Sequence, residues 1–418
     1  MLKNYTREEK AWMLYDWANS AFSAIVAAII LPIFFKEIAR SGGVADVDAT
    51  AYWGYATSCG TFICALMAPF LGTLGDFRGM KKRLFTCFML LGVISTFLLA
   101  TTSNWKMILL FYILGTLGFS GSCVYYDSFL PDVTTDARMD QVSALGYGLG
   151  YIGGSTIPLI ISLLLIQFGS AIGIETVAAT KFSFVLTAVW WLLFSVPMLR
   201  NVEQKHCVEP EKQIFAQTLR NMGRTCRMIF SNKSVFFFLI AYFFYIDGVG
   251  TIIHMATVFG DSCGLGSMDM MVILLVVQIV AFPFAIIYGK LAGKFGARRM
   301  ILFGIATYIL VCAVGYNLQK MSDFLMLAVL VGTAQGGIQA LSRSFYGKII
   351  PAEYSSEYFG FFDVFGKFSA VIGPALFGLA AQLTGVTHYG ALAVMGMFIL
   401  GGAIMIFLVP KQIEKVTH

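Results

Sequence analysis

Twelve apolar stretches, each long enough to cross a bilayer, partition this chain of 418 residues. They fall at about 12–36, 52–75, 84–101, 106–126, 141–167 and 179–198, then 234–258, 270–292, 300–317, 323–344, 357–381 and 388–409. About 20 apolar residues span the hydrocarbon layer as a helix. In lipid a segment of this length satisfies its own backbone only as a helix, so the sequence predicts an all-α polytopic membrane protein. Composition agrees: 12% of residues are charged and 58% hydrophobic, against about 25% charged in a soluble domain. The first ten residues hold Lys3, Arg7, Glu8, Glu9 and Lys10, and the apolar run behind them is too long for a signal-peptide core, so no cleaved leader is expected.

Charge sets the expected orientation. Of the 29 Lys and Arg residues, 23 fall in one set of alternate connections and 5 in the other, with Lys367 inside a segment. The rich set includes both termini and the loops holding Arg78, Lys81, Lys82 and Arg83, residues 200–233, and residues 290–299. Basic loops mark the cytoplasmic side, so both termini are predicted there, in a multi-pass protein of the cell membrane. The net charge of +6 is then a topology signal, and nucleic acid is not an expected partner. Eight cysteines (59, 64, 87, 123, 207, 226, 263 and 312) show no ligand spacing; neither a metal site nor a disulfide framework is predicted, and no cofactor is expected.

The chain repeats internally. Gly72-Thr-Leu-Gly-Asp-Phe-Arg-Gly-Met-Lys-Lys82 returns as Gly289-Lys-Leu-Ala-Gly-Lys-Phe-Gly-Ala-Arg-Arg299, and Leu130-Pro131-Asp132 as Ile350-Pro351-Ala352, both at an offset near 220. The distance from each Pro to a Gly in the next segment, Gly153 or Gly373, is the same. Two parallel six-helix halves follow, an arrangement used by transporters. We read residues 1–198 as the first half, 199–233 as a cytoplasmic linker and 234–418 as the second half. Within the linker, Ile214, Leu219, Met222, Cys226 and Ile229 recur at near-helical spacing, which predicts a helix on the membrane surface; a solvated linker is the alternative.

Gly72 to Lys82 resembles the loop between helices 2 and 3 of the major facilitator superfamily, Gly-x-x-x-Asp-Arg/Lys-x-Gly-Arg-Arg/Lys. Phe77 and Met80 depart from that pattern, with Arg78 and Lys82 beside them to supply charge, and the second copy has Gly293 in place of the Asp. Within the superfamily, Tyr15-Asp-Trp-Ala-Asn-Ser-Ala-Phe22 is similar to the opening signature of the vacuole-effluxer family, related to autophagy amino-acid exporters. The stretch from Gly336 to Phe345, with Pro351, Phe359-Gly-Phe-Phe, Lys367-Phe-Ser and Gly373-Pro374, resembles it again. The resemblance implies the major facilitator fold and transport of a small solute, with amino-acid efflux the best-known activity.

Polar residues inside apolar segments are costly and mark candidate sites. Asp76 sits where a carboxylate can meet a helix N-terminus, with Gly72 and Gly79 permitting tight turns, so Asp76, Gly72, Arg78 and Gly79 are expected to gate the transporter. Asp16, placed about 6 Å from the start of a helix beginning near residue 12, fits the same gate. Asn19 and Ser23 lie deeper on nearly the same face and approach the solute path. Asp247, near the middle of its segment, is the first choice for a proton-coupling site, with His254 seven residues on as a relay partner; an Asp held by interhelical hydrogen bonds is the plainer reading. Asp363 and Lys367, four apart, are either a self-satisfied ion pair or a substrate site in which Lys367 binds a carboxylate. Gln335, Gln339 and Arg343 repeat every four residues, as polar lining leading to the gate or as a hydrogen-bond ladder. Trp12, Tyr15 and Trp17 read as interfacial anchors. Gly146, Gly150 and Gly154 predict close helix contact.

The expected function is secondary transport of a small polar solute by a monomer, with access alternating between the halves. No nucleotide-binding Gly-x-x-x-x-Gly-Lys-Ser/Thr loop occurs, so an ion gradient, protons first, is the expected energy source. An enzyme is not expected, since the four His (206, 254, 388 and 418) form no catalytic or metal spacing. A lipid or lysolipid flippase, or a non-transporting receptor on the same scaffold, is the alternative.

Overall fold

The structure, a computed structural model, describes residues 2–210, 213–262, 267–316, 321–386 and 388–410. Among the described residues, twelve helices are long and apolar enough to cross a membrane. They are α1 (Arg7–Ser41), α2 (Asp46–Asp76), α3 (Met80–Leu99), α4 (Trp105–Ser128), α5 (Asp136–Ile172) and α6 (Thr176–Asn201) in the first half. The second half holds α7 (Lys233–Ile253), α8 (Val272–Phe295), α9 (Ala297–Tyr316), α10 (Asp323–Ile349), α11 (Ala352–Thr384) and α12 (His388–Phe407). Each half has its own apolar core, one built around Trp12, Tyr15, Phe85 and Trp191, the other around Phe238, Tyr245, Tyr308 and Phe398. The halves meet where α2 packs on α11, α5 on α8 and α10, and α4 on α11. This is the predicted two-half architecture of an integral membrane protein.

Helix α1 departs from the sequence reading at its start. Thr6 caps it: the Thr6 hydroxyl accepts from Glu9 N–H at 3.1 Å and the Glu9 carboxylate accepts from Thr6 N–H at 2.8 Å. That reciprocal cap nucleates the helix five residues ahead of the apolar run, so its charged first turn is helical. Glu9 is buried because Thr134 and Arg138 also donate to it. Asp16 therefore lies about 14 Å into its helix, deeper than the 6 Å expected.

Mid-membrane, α1 and α5 each widen into a π-helical stretch, at Phe22–Ile29 and Gly150–Thr156. Such segments are rare and concentrate at functional sites. The glycine face of α5 packs on α1 as its spacing suggests: added Cβ atoms at Gly150 and Gly154 would press on Ser20 and on the Asp16 carbonyl. Trp12 and Tyr15 are fully buried, which corrects their reading as interfacial anchors. Trp12 Nε1 donates to the Tyr126 carbonyl at 2.7 Å, and Trp191 Nε1 donates to the Tyr15 hydroxyl at 3.2 Å.

Between the halves, residues 202–209 run as a strap across the loops of the basic face before the linker helix Ile214–Ser231. Val208 N–H donates to the Asp76 carbonyl and Arg78 N–H donates to the Val208 carbonyl. Gln204 donates to the carbonyls of Gly75, Asp76 and Phe77 and accepts from Gly79 N–H. On the linker helix Ile214, Phe215, Leu219 and Phe230 are exposed, while Ile229 packs inward.

Candidate functional site: a charged line between the halves

Hydrogen bonds and ion pairs joining the two halves gather at their Lys- and Arg-rich ends, which are closed against each other. At the centre is Arg343 on α10, 2% exposed. It donates to Asp16 of α1 at 3.2 Å and to Asp127 of α4 at 2.9 Å. Its Nε donates to the Ser143 hydroxyl and its Nη2 to the Ser143 carbonyl, both on α5. The rings of Trp12, Tyr126 and Tyr147 surround the guanidinium at 4.6, 5.2 and 4.4 Å from its carbon. Tyr126 also donates to Asp16, at 2.7 Å. A buried guanidinium is tolerable only when its fork is filled in this way, and removing one partner strands a charge. One residue of the second half thus ties down three helices of the first.

Two more clusters close the same face. The Asp76 carboxylate at the end of α2 accepts from the backbone N–H groups of Ser356 and Glu357 at 2.8 and 2.9 Å. Those are first-turn donors of α11, where orphan N–H groups and the helix dipole favour an anion. Gly72 lets α2 come this close, since a Cβ there would stand 2.5 Å from the Ser356 carbonyl oxygen. Lys81, fully buried, donates to Asp132 and to the Ser355 hydroxyl, both at 2.9 Å. Asp132 further accepts from the Lys205 and His206 N–H groups and pairs with the His206 ring. Burial alone would raise the Asp132 carboxyl, but the Lys81 ammonium and His206 hold it below the ordinary carboxylate value. On α5, Asp140 accepts from Lys348 and from Ser344 of α10 at 2.6 and 2.7 Å. Arg78, by contrast, is exposed and pairs with Glu209 of the strap.

Deeper, Asn19 Nδ2 donates weakly to the Cys123 sulfur at 3.5 Å. Asp16, Asp127, Asp363 and Lys367 all lie within electrostatic reach of that sulfur. Lys367 pairs with Asp363 on α11, and both are half-buried. Asn19 lies one turn beyond Asp16 on α1, and the Asp363–Lys367 pair lies on α11 of the other half. Ser23 lies in the π stretch of α1 and donates to the Ser20 carbonyl. Gln335 is elsewhere: it edges an apolar cavity of about 100 Å³ inside the second half. Gln339 is half-buried one turn further along α10.

Asp247 stands apart from these groups. It is fully buried within the second half, where both its oxygens accept from Gly373 N–H, at 2.9 and 2.8 Å, and one from the Thr251 hydroxyl. Gly373 is required there, since a side chain would collide with Asp247 and Thr251. This is the interhelical hydrogen-bonding geometry of the plainer reading. The His254 side chain lies outside the described residues.

Sequence reasoning did not single out Lys81, Asp127, Asp132, Asp140 or Ser143 as partners. Asp132 had a signal, being the polar residue at which the two Leu/Ile-Pro copies differ. Arg343 and Asp16 are 327 residues apart, and nothing local pairs them.

Residues 4–416 match the family described as "Vacuole effluxer Atg22 like". The chain is 46% identical over 416 residues to an uncharacterized MFS-type transporter, YxiO, of Bacillus subtilis (strain 168), covering 99% of this chain and 97% of that one. It is 20% identical to autophagy-related protein 22-1 of Emericella nidulans, covering 92% of this chain and 86% of that protein. The crystal structure of the human organic anion transporter MFSD10 (TETRAN) superposes with a TM-score of 0.76 at 12% identity, over 96% of this chain and 99% of that one, which shows a shared fold. The chain therefore belongs to the Atg22-like vacuole effluxer family and is a transporter of the major facilitator type.

Proposed function

We propose that the protein is a monomeric secondary transporter of the cell membrane, with its basic face and both termini in the cytoplasm, that exports a small zwitterionic solute such as an amino acid in exchange for protons. It performs no covalent chemistry on the solute. The observations that support this reading are two charged pairs, Arg343 with Asp127 and Asp363 with Lys367, which we read as one line between the two halves. Such a line suits a polar solute better than a lipid, whose path would be apolar and open to the side.

Lys367 takes the solute carboxylate and Asp363 its ammonium, which replaces their mutual pairing. A proton and the ammonium compete for Asp363, so proton entry and solute exit exclude one another. Asn19 and Ser23 border this site, and the clusters of Asp16, Asp76 and Arg343 open and close its cytoplasmic end. Gln335 and Gln339 follow α10 towards that end. Asp247 is a poorer proton site than its depth suggests, because the Gly373 N–H and the Thr251 hydroxyl donate to its carboxylate and favour the ionised form.

A solute screen in proteoliposomes, with and without an opposing pH gradient, tests this. Lys367→Met is expected to abolish transport of zwitterionic solutes, and Asp363→Asn to abolish its acceleration by the gradient. Asp247→Asn should leave that acceleration in place. Full activity in Lys367→Met, or gradient dependence lost only in Asp247→Asn, would reject the assignment.

A further inference from the structure

The repeat pairs two seams between the halves. At one, α2 meets α11; at the other, α8 meets α5. In the first seam the Asp76 carboxylate docks on the backbone of Ser356 and Glu357. The offset of the repeat puts Gly293 at the counterpart of Asp76, and residues 136 and 137 at the counterparts of Ser356 and Glu357. The second seam therefore has no carboxylate on α8 to match Asp76; the carboxylate it carries, Asp136, lies on the other side, in the first turn of α5. Gly293 faces α5 across an open gap: a Cβ there would stand 3.4 Å from the Gln141 amide nitrogen.

Beside it lies a cavity of about 500 Å³, lined by Asn4, Tyr5, Arg138, Gln141, Leu145, Ile286 and Lys290. Two cations from opposite halves face it, Arg138 at the start of α5 and Lys290 near the end of α8. Arg138 already pairs with Glu9 at 2.9 Å. Lys290 is exposed and pairs with no carboxylate among the described residues. From Arg138 to Leu145 the cavity wall descends about 10 Å along α5, and at that depth Leu145 and Ile286 are apolar. The cavity is thus cationic at the level of the membrane surface and apolar beneath it.

We propose that this cavity binds an anionic phospholipid, whose headgroup phosphate bridges the two halves across the α5–α8 seam. The phosphate lies between Lys290 and Arg138, with Gln141 donating to it, and the acyl chains leave along Leu145 and Ile286. Basic pockets between helices at this level suit anionic headgroups. Because the two cations belong to opposite halves, the lipid binds best when the basic face is closed and draws the equilibrium that way.

Thermal unfolding of the full chain in a neutral detergent tests this, with short-chain phosphatidylglycerol as the probe, and short-chain phosphatidylcholine and inorganic phosphate as controls. Phosphatidylglycerol should raise Tm saturably and the controls should not. Lys290→Glu should weaken the titration roughly tenfold or more. Gly293→Asp, which has room for its side chain, should raise Tm without lipid and blunt the response to it. Equal stabilisation by inorganic phosphate would overturn the lipid assignment. A phosphatidylglycerol response unchanged in both variants, or absent from the wild type, would overturn the site.

Discussion

The loops α2–α3 and α8–α9 are copies of one sequence, yet among the described residues their side chains reach to different places. Both turn at the same glycine, Gly79 and Gly296, with φ of 73° and 88°, conformations that a side chain would strain. Beyond that turn their partners differ. Lys81 crosses to Ser355 of the other half and to the buried Asp132. Its counterpart Arg298 donates to the carbonyls of Met405 and Ile406 at the end of α12, inside its own half. Asp76 docks on α11, and its counterpart is Gly293. Duplication preserved the turn geometry, while the bonds by which this loop reaches the other half were kept in the first copy. A rocking transporter whose α2–α11 seam is latched by this loop, and whose α5 seam is latched instead by Arg343 and Lys348 of α10, opens asymmetrically, and that asymmetry can be attacked from either side.

The largest effect is expected at the buried cation. Lys81→Met removes the ammonium from Asp132, which is left with backbone donors and the His206 ring. Breaking a buried pair from one side costs about 3–5 kcal/mol; the remaining donors put the loss near the low end, about 3 kcal/mol. Arg298→Met loses two charge-assisted bonds to carbonyls at a partly exposed site, for about 1 kcal/mol. Thermal unfolding of the two variants side by side measures the asymmetry. Equal losses would mean that both copies carry the same load.

Asp76→Asn comes next. An amide oxygen accepts one of the two α11 N–H groups, but the amide NH2 turns towards the other. The loss of about 1–2 kcal/mol falls only on the state in which the basic face is closed. Transport rate should therefore change by roughly tenfold, with little change in solute affinity. Solute counterflow in proteoliposomes separates the two. A shift confined to affinity would place Asp76 at the solute site instead of the latch.

Class and topology were legible in the sequence because hydropathy and charge bias are local properties, summed over some twenty residues at a time. The repeat was legible for the same reason, and it pointed to the seam holding Asp76. The Arg343 cluster was not, since its members lie on α1, α4, α5 and α10 and are joined only by the fold. The aromatic signature of α1 misled for a physical reason: Trp12 and Tyr15 look like membrane anchors in composition, but a buried guanidinium needs ring faces around it, and Trp12 supplies one. The depth of Asp247 could be read, whereas the Gly373 N–H that donates to it could not. The π stretches of α1 and α5 leave no sequence mark beyond a glycine run in α5.

The smallest effect comes from the strap, which adds a titratable group to the latched seam. The His206 ring lies 2.9 Å from Asp132, and this bond raises its pKa above 6.5, with partial burial opposing the shift. The groups facing it are Asp132, Lys81 from α3 and Glu353 from the start of α11, while the adjacent Lys205 pairs with Glu8 of α1. A base whose pKa is raised in the closed state stabilises that state fully below its ordinary value of 6.5, and the contribution is lost as pH rises through the raised value. The Asp132 carboxyl, held low, stays ionised throughout this window. The His206 side chain is 38% exposed, so solvent screens the pair and the effect on rate should be no more than a few-fold. Release of the strap should therefore grow from pH 6.5 upward, read as faster opening of the basic face. His206→Gln keeps a hydrogen bond to Asp132 without the charge, and should flatten that pH profile while leaving Lys81 and Asp76 in place. A profile unchanged in His206→Gln would move the pH sensitivity off the strap and leave the latched seam with its buried charges alone.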